Sequence, residues 1–316
     1  MSIAFVFPGQ GSQALGMGKA LAEHSAAARA VFAEVDEALG QKLSDLMWNG
    51  PETELTLTEN AQPALMAVSM AALRVLESEH GVKLAQTAKF VAGHSLGEYS
   101  ALAAAGTFSI ADTARLLKIR GKAMQAATPV GVGAMAALLG LDFATASLVA
   151  AEAAQGEVCQ AANDNSDGQV VVSGSKAAID RAIEIAKAKG AKRAILLAVS
   201  APFHCALMQP AADAMAKALS DVKMHVPAVP LVANILASQV TDTAIIRQKL
   251  VEQVTGTVRW RESVGYMVAE GVKVFVEIGA GKVLTGLSKK NSPDALAVAC
   301  GTPEDIAAAA AHLKQG

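Results

Sequence analysis

Ser95 lies in a sequence context that could make it a nucleophile. It is the centre of Gly93-His94-Ser95-Leu96-Gly97, which follows an apolar run of strand length and precedes small residues typical of a helix. A tight turn between a strand and a helix lifts a serine hydroxyl clear of the backbone, and the first N–H groups of the helix point at an oxyanion formed beside it. The pattern therefore predicts a nucleophile elbow, with an ordinary turn as the alternative.

A serine hydroxyl is a poor nucleophile without a base within hydrogen-bond reach. His204 is the best candidate among the six histidines, because it follows a proline-bearing loop and precedes a helical stretch that could present it. His94 adjoins Ser95, but neighbouring side chains diverge at an elbow, so we expect His94 to pack against the fold. A purely structural histidine is the alternative for His204.

No acidic residue completes a Ser-His-Asp triad in an obvious way. Asp164 and Asp167 lie between the serine and the histidine, where a triad acid of this elbow type would stand. They belong to residues 163–168, however, whose composition is typical of a hairpin turn. A backbone or amide carbonyl can hold an imidazole instead. The residues thus predict a serine–histidine dyad.

The elements that must position these residues alternate between strand and helix, which predicts an α/β fold with a parallel sheet and right-handed crossovers. We expect a large domain of α/β-hydrolase type, made of residues 1–127 and 199–316, that carries the elbow. Residues 128–198 have the order β-α-β-β-α-β, which predicts a small ferredoxin-like subdomain inserted in the large one.

The first strand and the first long helices can be placed from their patterns. Residues 3–7 form a continuous apolar run typical of a strand buried on both faces. The glycine-rich loop after it is an ordinary turn or, if it lies beside Ser95, an oxyanion-hole loop. Residues 14–39 predict one helix, and residues 64–80 predict a second with Pro63 in its first turn.

The composition of the chain excludes several classes of function. Hydrophobic residues make up 52% and charged residues 18% of the chain, which indicates a globular protein, and a net charge of −2 argues against binding nucleic acid or an anionic membrane. No apolar run reaches the ~18 residues of a membrane-spanning helix, and a strand stands where a signal peptide would begin. Cys159, Cys205 and Cys300 show no metal-ligand spacing. We expect a cytoplasmic protein.

Several short motifs follow one another along the chain. They are Phe7-Pro8-Gly9-Gln10-Gly11-Ser12-Gln13, Gln62-Pro63-Ala64-Leu65, Gly93-His94-Ser95-Leu96-Gly97-Glu98-Tyr99, Arg120-Gly121, Gly133-Ala134-Met135, Phe203-His204 and Val276-Glu277-Ile278-Gly279. In this order they resemble the malonyl-CoA:acyl carrier protein transacylases of type II fatty acid synthesis and, more broadly, the acyltransferase domains of polyketide synthases. The resemblance covers essentially the whole chain.

The resemblance implies a ping-pong acyl transfer, in which a serine carries a malonyl group between two thiols. Ser95 would carry the malonyl ester, and His204 would act first as general base and then as general acid. The backbone N–H groups of Gln10 and Leu96 would form the oxyanion hole. Gln253 would orient the histidine in place of an acid, through either its side chain or its backbone carbonyl.

Arg120 would decide the substrate class. On its own, with Lys118 and Lys122 as neighbours, it is typical of a solvated helix face. The resemblance implies instead that its guanidinium holds the free carboxylate of malonate with two parallel hydrogen bonds, which a lysine cannot copy. Gln62 would also belong to the substrate site. Phe203 would stand where a bulky residue excludes the α-methyl group of methylmalonyl.

The resemblance also implies the partners. Malonyl-CoA would be the donor and holo-acyl carrier protein the acceptor, with no metal, nucleotide or flavin as a cofactor, and we expect a monomer. The acidic carrier protein would dock on a basic rim, for which Lys192-Arg193, Lys282 and Lys289-Lys290 are candidates. The alternatives are a serine esterase or thioesterase, an acyltransferase that serves a polyketide synthase or a malonate decarboxylase, and a non-catalytic binding protein.

Overall fold

The computed structural model of the protein describes residues 2–314, in which strands and helices alternate. The strands are β1 (Ser2–Phe7), β2 (Ala88–Gly93), β3 (Gly133–Leu139), β4 (Cys159–Ser166), β5 (Gln169–Ser175), β6 (Arg193–Leu196), β7 (Leu231–Val232), β8 (Gln239–Val240), β9 (Val272–Ile278) and β10 (Leu296–Cys300). The helices are α1 (Lys19–His24), α2 (Ala26–Leu39), α3 (Leu43–Asn49), α4 (Glu52–Leu55), α5 (Thr58–Ser78), α6 (Leu84–Thr87), α7 (Gly97–Ala104), α8 (Ile110–Ala126), α9 (Phe143–Ala154), α10 (Lys176–Ala188), α11 (Gln209–Ser220), α12 (Thr243–Gln253), α13 (Trp260–Ala269), α14 (Val283–Asn291) and α15 (Pro303–Lys314).

The larger sheet has six strands in the order β10-β9-β1-β2-β7-β8. Its neighbouring strands run parallel except for β7 and β8, which confirms the predicted parallel sheet and adds a short antiparallel edge strand to it. β1 and β2 are parallel neighbours, with Phe7 opposite Gly93. The loops that follow these two strands therefore emerge side by side, at the carboxyl edge where α/β sheets place their ligands.

β1 is buried on both faces, as its apolar run predicts. Ile3, Phe5 and Phe7 belong to the main hydrophobic core, which lies between the sheet and α2, α5, α8 and α11. Ala4 and Val6 point the other way and belong to a second core with α13 and α14. Helices thus cover both faces of the sheet, which fixes the position of the loops at its edge.

The second sheet has four antiparallel strands in the order β4-β5-β3-β6. α9 and α10 share a separate hydrophobic core with it, which confirms the predicted ferredoxin-like unit. Its strands lie between residues 133 and 196. The subdomain boundaries at residues 127/128 and 198/199 stay predictions.

The end of β4 ties the small sheet to the rest of the chain. Val258 N donates to Ala162 O at 2.9 Å, and Asp164 N donates to Val258 O at 2.9 Å. The buried carboxylate of Asp164 also pairs with Arg261 of α13 at 2.8 Å. The hairpin turn predicted over residues 163–168 is therefore present but shorter, at Asp167 and Gly168 between β4 and β5. β4 continues to Ser166, because its backbone has partners in β5 and at Val258.

Two helix predictions are wrong in their bounds. Residues 14–39 contain two helices, α1 and α2, separated at Ser25, whose hydroxyl caps α2 by accepting from Ala28 N at 3.2 Å. α5 begins at Thr58 rather than at residue 64, so Pro63 lies inside the helix. Tight packing around the start of α5 overrides the usual preference against helix before a proline.

Cys159, Cys205 and Cys300 are buried and carry free thiols. Burial raises the pKa of all three, which makes them poor nucleophiles. Among the helices of residues 2–314, none combines the length and the apolar composition that crossing a membrane requires.

α8 crosses α5 in direct contact with its backbone, at Gly121. A Cβ added to Gly121 would lie 2.5 Å from Glu59 Cα and 2.6 Å from Thr58 O. Backbone atoms cannot move aside as the end of a flexible side chain can, so this position accepts only glycine without rearrangement. The crossing sets Arg120 of α8 beside Gln62 of α5.

Gly121→Ala should lower the free energy of unfolding by about 1–3 kcal/mol, because the added methyl group overpacks the helix crossing. The matched control is Gly286→Ala in α14, where an added Cβ meets no atom within 4 Å. There alanine should raise stability by ~0.5–1 kcal/mol through its helix propensity. Urea unfolding measures both changes, and equal stability of Gly121→Ala and the unsubstituted protein would contradict the close crossing.

Candidate active site

The turn between β2 and α7 has the geometry of a nucleophile elbow. β2 ends at Gly93, α7 begins at Gly97, and Ser95 between them has a φ of 55°, in the left-handed region. A Cβ added to Gly93 would collide with the backbone of Gly97, and one added to Gly97 would collide with Phe7 O. Strand and helix therefore cross too closely for any residue but glycine, as the sequence pattern predicts.

An asparagine side chain holds the strained serine in place. The left-handed conformation costs a non-glycine residue of order 1–3 kcal/mol, so surrounding contacts must stabilise it. Ser95 N donates to Asn234 Oδ1 at 2.8 Å, and Asn234 Nδ2 donates to Gly93 O at 2.7 Å. One buried amide thus bridges the backbone across the turn. Asn234 is not among the residues predicted from the sequence. Its place just after the short strand β7, beside β2, is the one signal that could have indicated it.

The imidazole of His204 lies against the serine hydroxyl. Ser95 Oγ and His204 Nε2 are 2.7 Å apart, and His204 Nδ1 lies 2.8 Å from the backbone oxygen of Gln253. Because a carbonyl only accepts hydrogen bonds, Nδ1 carries the proton and Nε2 presents its lone pair to the hydroxyl. The structure thus brings the two predicted members of the dyad together in the tautomer that a base requires.

The surroundings of His204 keep its imidazole neutral. The residue is 3% exposed. Burial, and next the positive charge of Arg120, lowers the pKa of His204 to about 3. His94, by contrast, packs against Trp260 and donates from Nε2 to Asn165 Oδ1 at 2.8 Å, as expected for a residue that supports the fold.

Gln253 contributes both its backbone and its side chain because it is the last residue of α12. Carbonyls at the end of a helix lack an intrahelical partner, so this one is free to accept from His204. The side chain joins two other groups: Oε1 accepts from Arg120 Nη2 at 2.9 Å, and Nε2 donates to Ser95 O at 2.9 Å. Of the two alternatives that the sequence leaves open, the backbone carbonyl is the one that contacts the imidazole.

Arg120 is a buried cation beside the serine. It is 1% exposed, so it does not belong to a solvated helix face. Its Nη1 donates to Gln62 Oε1 at 2.8 Å, and its Nη2 donates to Ser95 Oγ at 3.2 Å. No ion pair formed within residues 2–314 includes it. A buried guanidinium with neutral partners stays protonated and favours an anionic ligand.

Gln62 also connects the guanidinium to the loop after β1. Its Nε2 donates to Thr58 Oγ1 at 2.9 Å, and Thr58 Oγ1 donates to Gln10 Oε1 at 3.0 Å. The same loop packs against the elbow so closely that a Cβ on Gly9 would lie 2.6 Å from His94 O. The loop therefore lies beside the serine, which is the condition for an oxyanion-hole role.

The backbone N–H groups of Gln10 and Leu96 have no acceptor among the described residues. Leu96 follows the serine and precedes α7, so the positive end of the helix dipole adds to its N–H group. Gln10 lines the same cavity as Ser95. Two free donors flanking a serine hydroxyl can polarise a carbonyl that the hydroxyl attacks.

A cavity of about 330 Å³ opens at Ser95. Besides the polar residues described above, it is lined by Phe203 and by Met135 and Val171 of the small sheet. Both sheets thus contribute to its walls, as at many ligand sites between structural units. Apolar walls with one buried cation suit an acyl group that ends in an anion.

Glu98 is a second site residue to which the sequence patterns assign no role. It lies in the first turn of α7, is 1% exposed, and accepts hydrogen bonds from Gln253 Nε2 at 2.8 Å and Asn234 N at 3.1 Å. Burial raises the pKa of its carboxyl group to about 7. An acidic residue in the first turn of a helix is common because it complements the dipole, so its sequence position alone does not indicate burial.

The chain matches the acyl transferase domain family over residues 4–300. It is 47% identical over 314 residues to the malonyl CoA-acyl carrier protein transacylase of Bacillus subtilis strain 168, across 99% of this chain and 98% of that protein. The crystal structure of an acyl-carrier-protein S-malonyltransferase from Bartonella henselae has a TM-score of 0.97 and 57% identity, over 99% of this chain and 100% of the other. A malonyl-transacylase solved in complex with a type II polyketide acyl-carrier protein has a TM-score of 0.95 and 44% identity, over 99% of this chain and 100% of the other.

These similarities extend over both sheets and the elbow. The protein therefore belongs to the acyl transferase family and, within it, to the malonyl CoA-acyl carrier protein transacylases, as the order of its motifs indicates. It is an acyltransferase, and the residues brought together at Ser95 can be assigned roles in that chemistry.

The low pKa of His204 predicts how the reactivity of Ser95 depends on pH. A base whose pKa is lowered to about 3 stays neutral as the pH falls. An imidazole with the ordinary pKa of about 6.5 is ~97% protonated at about pH 5. Labelling of Ser95 by a neutral sulfonyl fluoride, followed by intact mass from about pH 5 to about pH 8, should therefore show no loss of rate centred near ~6.5.

Two variants show which residue causes any inflection in the pH dependence of Ser95 labelling. His204→Ala gives the rate without a base, and Glu98→Gln removes the other buried group that titrates near the site. An inflection near ~6.5 that persists in Glu98→Gln would show that His204 keeps the ordinary pKa of an imidazole.

Proposed function

We propose that the protein transfers a malonyl group from malonyl-CoA to the phosphopantetheine thiol of holo-acyl carrier protein, through a malonyl ester on Ser95. The observation that carries the proposal is the buried guanidinium of Arg120, 3.2 Å from the serine hydroxyl. An acyl group that ends in a carboxylate can pair with it, whereas an uncharged acyl group leaves a buried cation unpaired. The names of the relatives support the same substrate.

In the first half-reaction, His204 Nε2 takes the proton of Ser95 Oγ as the oxygen attacks the thioester carbonyl. The N–H groups of Gln10 and Leu96 donate to the oxyanion of the tetrahedral intermediate. When the intermediate collapses, the C–S bond breaks and the imidazolium returns its proton to the leaving thiolate of CoA. Because burial and Arg120 disfavour the protonated imidazole, they favour this return of the proton.

In the second half-reaction, the same groups act on a different thiol. The phosphopantetheine thiol gives its proton to His204 Nε2 and attacks the malonyl ester, and the oxyanion again lies against the two N–H groups. Collapse breaks the bond to Ser95 Oγ, which recovers the proton from the imidazolium. Serine and histidine return to their starting states, so the cycle consumes no cofactor.

Selectivity among acyl groups follows from two residues. Arg120 binds the malonyl carboxylate with parallel hydrogen bonds, and Gln62 fixes the plane of the guanidinium through Nη1. Phe203 lines the cavity and is 8% exposed, so its ring has little freedom to move aside for an α-methyl group. A methyl-sized group in such a pocket is worth about 1–3 kcal/mol, which is less than an unpaired charge.

The carrier protein would dock at exposed basic residues of the small sheet and of α14, Lys192-Arg193 and Lys289-Lys290. Asn291, at the end of α14, donates to a backbone oxygen of β4 at 2.9 Å, which keeps this end of the helix against the small sheet. Lys282 is less suited, because it pairs with Asp305 at 3.3 Å. A basic rim would steer an acidic carrier toward the cleft.

We place the transfer in fatty acid biosynthesis in the cytoplasm, with the protein acting as a monomer and without a metal or organic cofactor. Supply of a polyketide synthase or a malonate decarboxylase is the alternative pathway. Each of these would use the same transfer at Ser95.

Malonyl-CoA should add one malonyl group to the intact protein, and Ser95→Ala should remain unlabelled because it lacks the attacking oxygen. Holo-carrier protein added afterwards should take up the label on its thiol. Mass spectrometry of both proteins measures the transfer. The matched control is Ser100→Ala, a buried serine of α7, which should be labelled normally. Free malonate without loaded carrier would identify a serine esterase or thioesterase instead.

Arg120→Ala should lower kcat/KM for malonyl-CoA by at least ~100-fold, because two charge-assisted hydrogen bonds to the carboxylate are lost. Loading from acetyl-CoA should change less, so the preference for malonyl falls. Arg120→Lys keeps the charge without the bidentate geometry and should give an intermediate preference. Arg115→Ala on the same helix, exposed and paired with Asp112, is the control. An unchanged preference in Arg120→Ala would refute the carboxylate role.

A further inference from the structure

The carboxyl group of Glu98 is buried beside the site, and no step of the proposed transfer uses it. The residue is 1% exposed and lies one helical turn after Ser95. It is not the missing acid of a triad, because His204 donates to a backbone carbonyl instead. Burying a carboxyl group costs free energy unless its hydrogen bonds offset the loss of water.

One oxygen of Glu98 accepts hydrogen bonds from two residues of the site. Oε2 accepts from Gln253 Nε2 at 2.8 Å and from the backbone N of Asn234 at 3.1 Å. Gln253 and Asn234 are both fully buried, so water cannot replace the carboxyl oxygen as their acceptor. Because a single oxygen takes both bonds, it fixes the distance between the two donors.

Asn234 and Gln253 in turn hold the groups that react. The side chain of Asn234 accepts from Ser95 N and so supports the strained elbow. The carbonyl of Gln253 accepts from His204, and its side chain contacts both Arg120 and the backbone of Ser95. The carboxyl group therefore hydrogen-bonds to the two residues that hold the nucleophile, the base and the cation.

We propose that Glu98 is a positioning residue for acyl transfer, whose carboxyl oxygen keeps Ser95 and His204 at their working separation without touching the substrate. Its donors are neutral N–H groups, and it forms no ion pair with Arg120. What the site needs from it is therefore an oxygen at a fixed place rather than a negative charge. The identity of the acyl group rests on the proposed function, whereas the role of Glu98 concerns the serine and histidine alone.

Two variants test whether Glu98 acts through the position of its oxygen or through its negative charge. Glu98→Gln keeps an acceptor oxygen at the same reach and removes the charge, and Glu98→Asp keeps the charge and withdraws the oxygen by one methylene. Labelling of Ser95 by a neutral sulfonyl fluoride should stay within about threefold in the first and slow about 10- to 100-fold in the second. With malonyl-CoA, the loss in Glu98→Asp should fall on kcat with KM almost unchanged, because Glu98 does not line the cavity.

Glu277 supplies a matched control. This residue of β9 has a buried carboxyl group that accepts from the first turn of α14, from Leu284 N at 3.0 Å and Thr285 N at 2.6 Å. Glu277→Asp removes the same methylene from a buried carboxyl group and should lower the melting temperature without slowing Ser95 labelling. If Glu98→Asp does not fold, Asn234→Ala takes its place, with the same slow labelling expected because Ser95 N loses its acceptor.

Fast labelling in the Glu98→Asp or Asn234→Ala variant that folds, or slow labelling in Glu98→Gln, overturns the positioning role. The two proposals fail separately. If malonyl-CoA does not label the unsubstituted protein while the sulfonyl fluoride series behaves as expected, the malonyl function is wrong and the positioning role holds. If malonyl-CoA labels all Glu98 variants at one rate, the positioning role is wrong and the malonyl function holds.

Discussion

The crossing of α7 over the end of β2 is the constraint on which the site depends. The helix can approach the strand because Gly93 and Gly97 have no side chains, and Gly97 lies against the end of β1 for the same reason. This approach forces Ser95 into the left-handed region and aims the first N–H groups of α7 at its hydroxyl. It also brings the loop after β1 into contact with the elbow. One steric condition, the close approach of α7 to β2, thus fixes the positions of the nucleophile, the oxyanion donors and the neighbouring strand.

A neutral carbonyl does at this site what a carboxylate does in a triad, and the difference suits the chemistry. An aspartate bonded to His204 would lie close to Arg120, and its charge would compete with that of the substrate for the guanidinium. The carbonyl of Gln253 fixes the same imidazole tautomer without a charge. The cost is a histidine that resists protonation, which is acceptable because its proton passes directly to a thiolate or to Ser95.

Local patterns predict the parts of this structure that depend on local chemistry. The elbow, the buried first strand and the small four-stranded unit follow from spacing, periodicity and element order, and His204 from the loop before it. The start of α5 and the extent of β4 could not be predicted, because packing and a bridge to Val258 decide them. Asn234 and Glu98 could not be predicted because burial, rather than residue type, gives them their part in the site.

The order in which the site's residues occur along the chain has a consequence for the protein during its synthesis. Ser95 leaves the ribosome well before Asn234 and Gln253, which supply the clamp of the elbow and the acceptor for His204. A growing chain therefore carries a serine whose turn is unsupported and whose base has no fixed tautomer. The acceptor of His204 is the last residue of α12, so the elbow, the base and their supports come together only after most of the chain has been synthesised.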